Sequence, residues 1–206
     1  MECTSSQEKL ASYAVAGRWW SGTGDRYDAA GLADTAGNGR RIEGVTMEIE
    51  RQFLVDTVPG LPAEYEVLRQ GYVSLEPEIR IRQIGANNFV LTVKRGAGLV
   101  REEWETDITL QEFANLSQHL WPATLMIEKR RYIIALADGQ QAELHMHDGH
   151  LTGFNYVEVE FPSIEAAQAF VPPDWFGREV TEDERFSYGT LAQVNGMDLV
   201  KELVKL

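Results

Sequence analysis

MEIERQFLV, residues 47–55, alternates with a period of two and reads as a β-strand. Parity puts Glu48, Glu50 and Gln52 on one face and Ile49, Arg51 and Phe53 on the other. Two carboxylates two residues apart on one face repel each other. A strand that keeps them there needs something to neutralise them.

Working outward, the same parity recurs along the chain. Strands are expected over YEVLRQGYVSL (65–75), EIRIRQIG (78–85), NFVLTVKRG (88–96), LVREEWETDITL (99–110), IEKRRYIIALA (127–137), QAELHMHDG (141–149) and FNYVEVEF (154–161). Arg80 and Arg82 share a face against Ile79 and Ile81, and Lys94 joins Thr92 against Leu91 and Val93. Arg101, Glu103 and Glu105 share a face, as do Lys129 and Arg131. Glu143, His145 and His147 oppose Leu144 and Met146, and Glu158 and Glu160 oppose Val157, Val159 and Phe161. Hairpins are expected through Gly85-Ala86-Asn87 and Asp138-Gly139, and Gly96-Ala97-Gly98 and Gly22-Thr23-Gly24 read as turns. Helices are expected over 110–121, over 163–170 with Ser163 as N-cap, and over 197–206, with a short piece starting at 181–184. Trp104, Phe113, Trp121 and Trp175 read as packing residues beneath those helices.

An ordinary antiparallel sheet has one solvated face, usually a mixture of Thr, Ser, Gln and Lys. Here that face is nearly all Glu, Arg and Lys, each sign recurring in pairs on its own strand, while the opposite face is strongly apolar. The pattern predicts a β-dominated α+β fold of about eight strands in predominantly antiparallel order with a C-terminal helix; helices must cover the apolar face, and closing the sheet would place the charged face inside a barrel. Charge turned inward is costly unless it is matched. A polyphosphate with a divalent metal meets both signs, since Arg and Lys suit phosphate oxygens and clustered carboxylates suit Mg²⁺ or Mn²⁺.

The 206 residues fit one sizeable domain and an appendage. Residues 1–46, rich in Gly, Ala, Ser, Thr and Asp, read as a weakly ordered extension in which SQEKLASYAVAGRWW is a candidate helix. Residues 47–206 read as the folded domain, and Met47 is a candidate start. The net charge of −13 argues against a nucleic-acid partner or anionic lipid. The apolar runs are too short for a membrane helix, and no secretory signal is recognisable. Cys3, the single cysteine, excludes an internal disulfide. The expectation is a cytoplasmic protein with a small phosphate ligand, no nucleic-acid or membrane partner, and homodimerisation as an option.

At this point the chain resembles the CYTH domains, the triphosphate tunnel metalloenzymes, and within them the small bacterial tripolyphosphatase-like branch. MEIERQFLV is similar to their opening Glu-x-Glu-x-Lys signature. The likeness continues in order through the Arg-x-Arg of EIRIRQIG, LTVK, REEWE, EKRRY, ELHMHDG and VEVE, and ends at WFGREVTEDERFSYGTLA, about residues 47–195. The resemblance implies a closed eight-stranded antiparallel barrel, a tunnel with helices packed outside, and metal-dependent hydrolysis of an inorganic or organic triphosphate by metal-activated water. Thiamine triphosphatases and class IV-type adenylyl cyclases are other members. It implies a catalytic set of Glu48, Glu50 and Gln52 and metal ligands Glu48, Glu50, Glu158 and Glu160, with Mg²⁺ or Mn²⁺. It implies phosphate contacts from Arg80, Arg82, Lys94, Arg101, Lys129 and Arg131. Glu103, Glu105, Glu143 and His145 are further candidates.

Two positions depart from the pattern. Gln52 stands in the lysine slot of Glu-x-Glu-x-Lys, and His145 stands where an acidic residue is usual. The alternative they raise is a non-hydrolytic or diverged tunnel that binds a polyphosphate or a diphosphate ester. His145-x-His147 with His150 is also a candidate transition-metal set, since imidazole suits Zn and Ni.

Overall fold

The computed structural model describes residues 44–55, 57–137 and 139–204. The expected N-terminal extension up to residue 43, its candidate helix and the turn residue Asp138 lie outside these residues. The strands are β1 (Thr46–Val55), β2 (Glu66–Leu75), β3 (Glu78–Ile84), β4 (Asn88–Arg95), β5 (Val100–Asp107), β6 (Ile127–Ala135), β7 (Gln141–Asp148), β8 (Asn155–Glu160) and β9 (Phe176–Glu179). Their order is β5-β4-β3-β2-β6-β7-β8-β1-β9, and an additional β5–β1 pairing closes the first eight into a barrel. The closed eight-stranded antiparallel barrel expected from the strand pattern and the family resemblance is the observed fold, with β9 outside it. The opening stretch supplies the closure. Thr46–Ile49 pair with β5, and Glu50–Leu54 pair with β8.

Turn chemistry sets the registers. Gly85 and Gly139 take positive φ at the two expected hairpins, at 60° and 86°. At Gly98, φ 74°, an added Cβ would lie 2.6 Å from the Glu182 carboxylate, whose oxygen accepts from the Leu99 amide.

The helices cover the outward apolar faces. Helix α1 (Leu110–Leu116) carries a capping box between Thr109 and Glu112 and places Phe113 on Ile81 and Phe89. It is shorter than the expected 110–121, passing into a 3-10 turn at Ser117–His119, and Leu110 and Trp121 are exposed rather than packed beneath it. Helix α2 (Ile164–Ala169) starts at Ser163, whose hydroxyl accepts from the Ala166 amide at 3.1 Å, and seals Phe53, Val157 and Val159. The expected piece near 181–184 is a 3-10 turn at Glu184–Phe186, followed by α3 (Tyr188–Leu191) and α4 (Gly196–Val204). No helix among the described residues is long and apolar enough to cross a membrane.

One end of the interior is not charged. Leu54, Tyr72, Ile127 and Tyr156 share their strands' inward parity and pack into one cluster with Phe154, just before β8, and with Phe186, Tyr188, Leu191 and Val200 from the C-terminal segment. Along β1 the inward row therefore runs Glu48, Glu50, Gln52, Leu54, from carboxylate through amide to apolar plug.

Candidate active site

Antiparallel register brings the charged faces together. Glu50 lies opposite Glu160, Gln52 opposite Glu158, and Glu158 in turn opposite Glu143. Thus β7, β8 and β1, three consecutive strands, form an acidic arc. Arg131 and Lys129 on β6, Arg80 and Arg82 on β3, Lys94 on β4 and Arg101 on β5 form a basic arc around the rest of the ring. Together they line a cavity of about 170 Å³. Of the residues expected at the site, all but Glu105 line it. Glu105 stands behind the wall, accepting from Arg82 at 3.1 Å and from Thr92 at 3.0 Å.

The arcs are tied by ion pairs. Lys94 donates to Glu48 at 2.7 Å and meets Glu103 at 2.8 Å. Arg101 meets Glu48 at 3.1 Å and also pairs with Glu50. Arg131 holds Glu143 at 2.9 Å and, at the rim, Glu66. Burial, reinforced by the neighbouring Glu158 carboxylate, pushes the Glu50 carboxyl up to about 8. Burial also works against the charge on Glu158, but His145 and Lys129 outweigh it and hold that carboxyl well below the usual range. Lys129 is buried with its ammonium 3.8 Å above the Tyr188 ring, and burial lowers its affinity for a proton well below the lysine norm.

Gln52 has a defined place at the border of charge and plug. Its Oε1 accepts from the Tyr156 hydroxyl at 2.6 Å, and its Nε2 donates to Glu50 at 2.5 Å and Glu158 at 3.2 Å. An ammonium could make the last two bonds but not the first. Two ligand groups are formed by the acidic arc: Glu48, Glu50 and Glu160, and Glu143, His145 and Glu158, the donor atoms of each within 4.8 Å of one another.

The imidazole set drawn from spacing alone does not assemble. The Nδ1 of His147 lies 2.9 Å from the Phe154 carbonyl oxygen and the Nε2 of His150 lies 3.2 Å from that of Leu191, and neither ring joins a ligand group among the described residues. Only His145 enters one, through carboxylates rather than other histidines.

Sequence reasoning missed Tyr72, Glu78, Thr181, Asp183, Glu184, Ser187 and Tyr188 on the cavity wall. Tyr72 was legible, since it follows Gln70 on the inward parity of β2. The others from 181 onward come from short turns with no periodicity to read.

No family model matches the chain. Whole-chain comparison does find relatives. An inorganic triphosphatase of Nitrosomonas europaea is 47% identical over 150 residues, covering 70% of this chain and 96% of the relative. Another inorganic triphosphatase, of Acetivibrio thermocellus, is 31% identical over 150 residues, covering 71% and 93%. A crystal structure of an inorganic triphosphatase, 41% identical, superposes with a TM-score of 0.54 over 70% of this chain and 93% of the other. With barrel, charged interior and near full-length relatives in agreement, the chain belongs to the inorganic triphosphatase family.

Proposed function

We propose that this chain hydrolyses inorganic tripolyphosphate with a divalent cation, Mg²⁺ or Mn²⁺, as a triphosphate tunnel metalloenzyme of the CYTH class. The observation that carries the reading is the facing of an acidic arc on β7, β8 and β1 with a basic arc on β3, β4, β5 and β6 inside one closed barrel. A ligand that satisfies both arcs must bring anionic oxygens and cations together. The cavity of about 170 Å³ is smaller than the roughly 300–1,000 Å³ of sites for drug-sized ligands, which favours a compact inorganic anion over one with a large organic part.

The donor sets suit a divalent cation. Glu48, Glu50 and Glu160 offer hard oxygen donors, and Glu158 with Glu143 and His145 offers a second group. Bound there, the ion would screen phosphate charge and make a water nucleophilic near neutral pH. The chain's own residues do the rest. Arg80, Arg82, Lys94, Arg101 and Arg131 supply fixed positive charge to non-bridging oxygens and so align the chain for in-line attack. Lys94 and Arg101 exchange their carboxylate partners for phosphate as the substrate and its counter-ions enter. Burial disfavours the charge on Lys129, and phosphate oxygens brought beside it would favour that charge again.

Gln52 does not weigh against this reading, because its amide is tied at both ends. The test is phosphate release from tripolyphosphate, ATP and thiamine triphosphate, with Mg²⁺, Mn²⁺ or a chelator. Tripolyphosphate is expected to turn over fastest, and only with a divalent ion. Binding of polyphosphate by folded protein without any release from the three substrates would establish the non-hydrolytic alternative instead.

A further inference from the structure

The second ligand group contains a nitrogen. His145 is 2% exposed, and its Nε2 lies 2.8 Å from one oxygen of Glu158 and 3.7 Å from Glu143. The Glu158 carboxylate can only accept, so the neutral ring carries its proton on Nε2 here, while Nδ1 has no hydrogen-bond partner among the described residues and is open to take that proton. Ligation through Nε2 would place the ring proton on Nδ1. The other oxygen of Glu158 is held by the neutral amide of Gln52. The two departures from the family pattern therefore converge on the two oxygens of one carboxylate. An ammonium at 52 would compete with a metal for Glu158 and Glu50, whereas an amide adds no positive charge there.

We propose that Glu143, His145 and Glu158 form a cation subsite with one imidazole and two carboxylate donors, and that His145 gives it a preference for a divalent transition metal over Mg²⁺. The proposal rests on the reading of the tunnel as a metal-dependent hydrolase and names the donor chemistry of one of its two ion sites. Mg²⁺ is hard, takes oxygen donors and parts with its waters reluctantly. Imidazole suits first-row transition metals, and the group Glu48–Glu50–Glu160 offers oxygens only. The two subsites should therefore differ in selectivity within one cavity.

The full chain is titrated with Mn²⁺ and Mg²⁺ by calorimetry, and the Mn²⁺-loaded protein is examined by pulsed EPR for ¹⁴N coupling. Wild type is expected to show the modulation of a directly bound imidazole nitrogen, and His145→Asp to lose it. In that variant the ratio of the Mg²⁺ to the Mn²⁺ dissociation constant at the weaker-for-Mg²⁺ site should fall at least tenfold. The EPR result on wild type stands even if the variant does not fold. Mn²⁺ bound without nitrogen coupling, or coupling that persists in folded His145→Asp, overturns the proposal and leaves the metal-dependent reading intact. Failure of wild type to bind either ion, with or without tripolyphosphate, overturns both.

Discussion

The two ligand groups share the acidic arc but are held differently. Charges hold Glu48 and, together with the Gln52 amide, Glu50, through Lys94 and Arg101. Neutral donors hold Glu158, with Gln52 on one oxygen and His145, whose proton affinity is lowered by burial and by Lys129, on the other. A charged partner can leave for a phosphate when a cation takes its place. A neutral donor has no such reason to move, so it fixes position and donor chemistry. On the proposed reading the first group would serve exchange; in the second, Arg131 pairs with Glu143, and the neutral contacts that would serve selectivity fall on Glu158.

The largest effect is expected where exchange is removed. Glu50 is buried at the meeting point of Arg101, Gln52 and the ligand group with Glu48 and Glu160. Glu50→Ala should lower tripolyphosphate turnover by about 10²–10³-fold, the usual cost of one preorganised electrostatic contact in a transition state. Retention of more than a tenth of wild-type turnover would mean that the three-carboxylate group is not the working site. Next comes Lys94→Met. It leaves Glu48 and Glu103 without their shared ammonium. The protein in chelator should lose about 3 kcal/mol by denaturant unfolding, near the lower end for breaking a buried pair because both carboxylates keep some solvent. Mn²⁺ should return part of the loss in the variant. An equal loss with and without Mn²⁺ would show that lysine and cation do not compete for the same carboxylates.

The barrel was legible because one rule repeated on every strand. Parity alone separated Arg80 from Ile81 and Glu158 from Val159, and register then had only to bring like-facing rows together. The end of the interior was not legible. Leu54, Tyr72, Ile127 and Tyr156 continue the inward rows as apolar residues, and parity cannot tell an interior plug from an outward core. What covers them, Phe186, Tyr188 and Leu191, sits in turns and a four-residue helix, too short for a period. The same blindness hid the meaning of Gln52. As a letter in a motif it looked like a lost lysine, and only the Tyr156 hydroxyl shows what an amide does there. The histidine set failed for a related reason: spacing along β7 put His145 and His147 on one face, but His147 lies nearer the plug, against Phe154 and Tyr188.

Acidity offers a smaller lever on the contrast. Glu50 keeps its proton to about pH 8 in the folded protein, but to about 4.5 when unfolded. Between those values the native state binds the extra proton, so stability falls as pH rises, by at most about 1.4 kcal/mol per pH unit. His145 and His147, pushed down by burial, act oppositely: their contribution is present above their ordinary value near 6.5 and is lost as pH falls below it. The difference between wild type and Glu50→Gln, measured in chelator from pH 6.5 to 8, isolates the carboxyl. The wild-type curve should fall relative to the variant across that window, and Mn²⁺ should flatten it by favouring the ionised form. Parallel curves would place the charged–neutral boundary somewhere other than Glu50.

The smallest effect is expected from Gln52→Lys, although it restores the family's residue. The ammonium could reach Glu50 and Glu158, but the Tyr156 hydroxyl would lose its acceptor at the edge of an apolar plug, where its next contact is the Phe186 carbonyl at 3.5 Å. A gain in fixed charge and a loss of hydrogen bonding oppose each other, and the new cation competes with metal for both carboxylates. Turnover at saturating Mn²⁺ should stay within about threefold of wild type, while the Mn²⁺ concentration needed for half-activation rises several-fold. Such a split between rate and metal requirement would mark Gln52 as a residue that tunes ion binding. A rise in turnover of tenfold or more would instead mean that the amide is a deficit, and that neutral donors around Glu158 are tolerated rather than fitted.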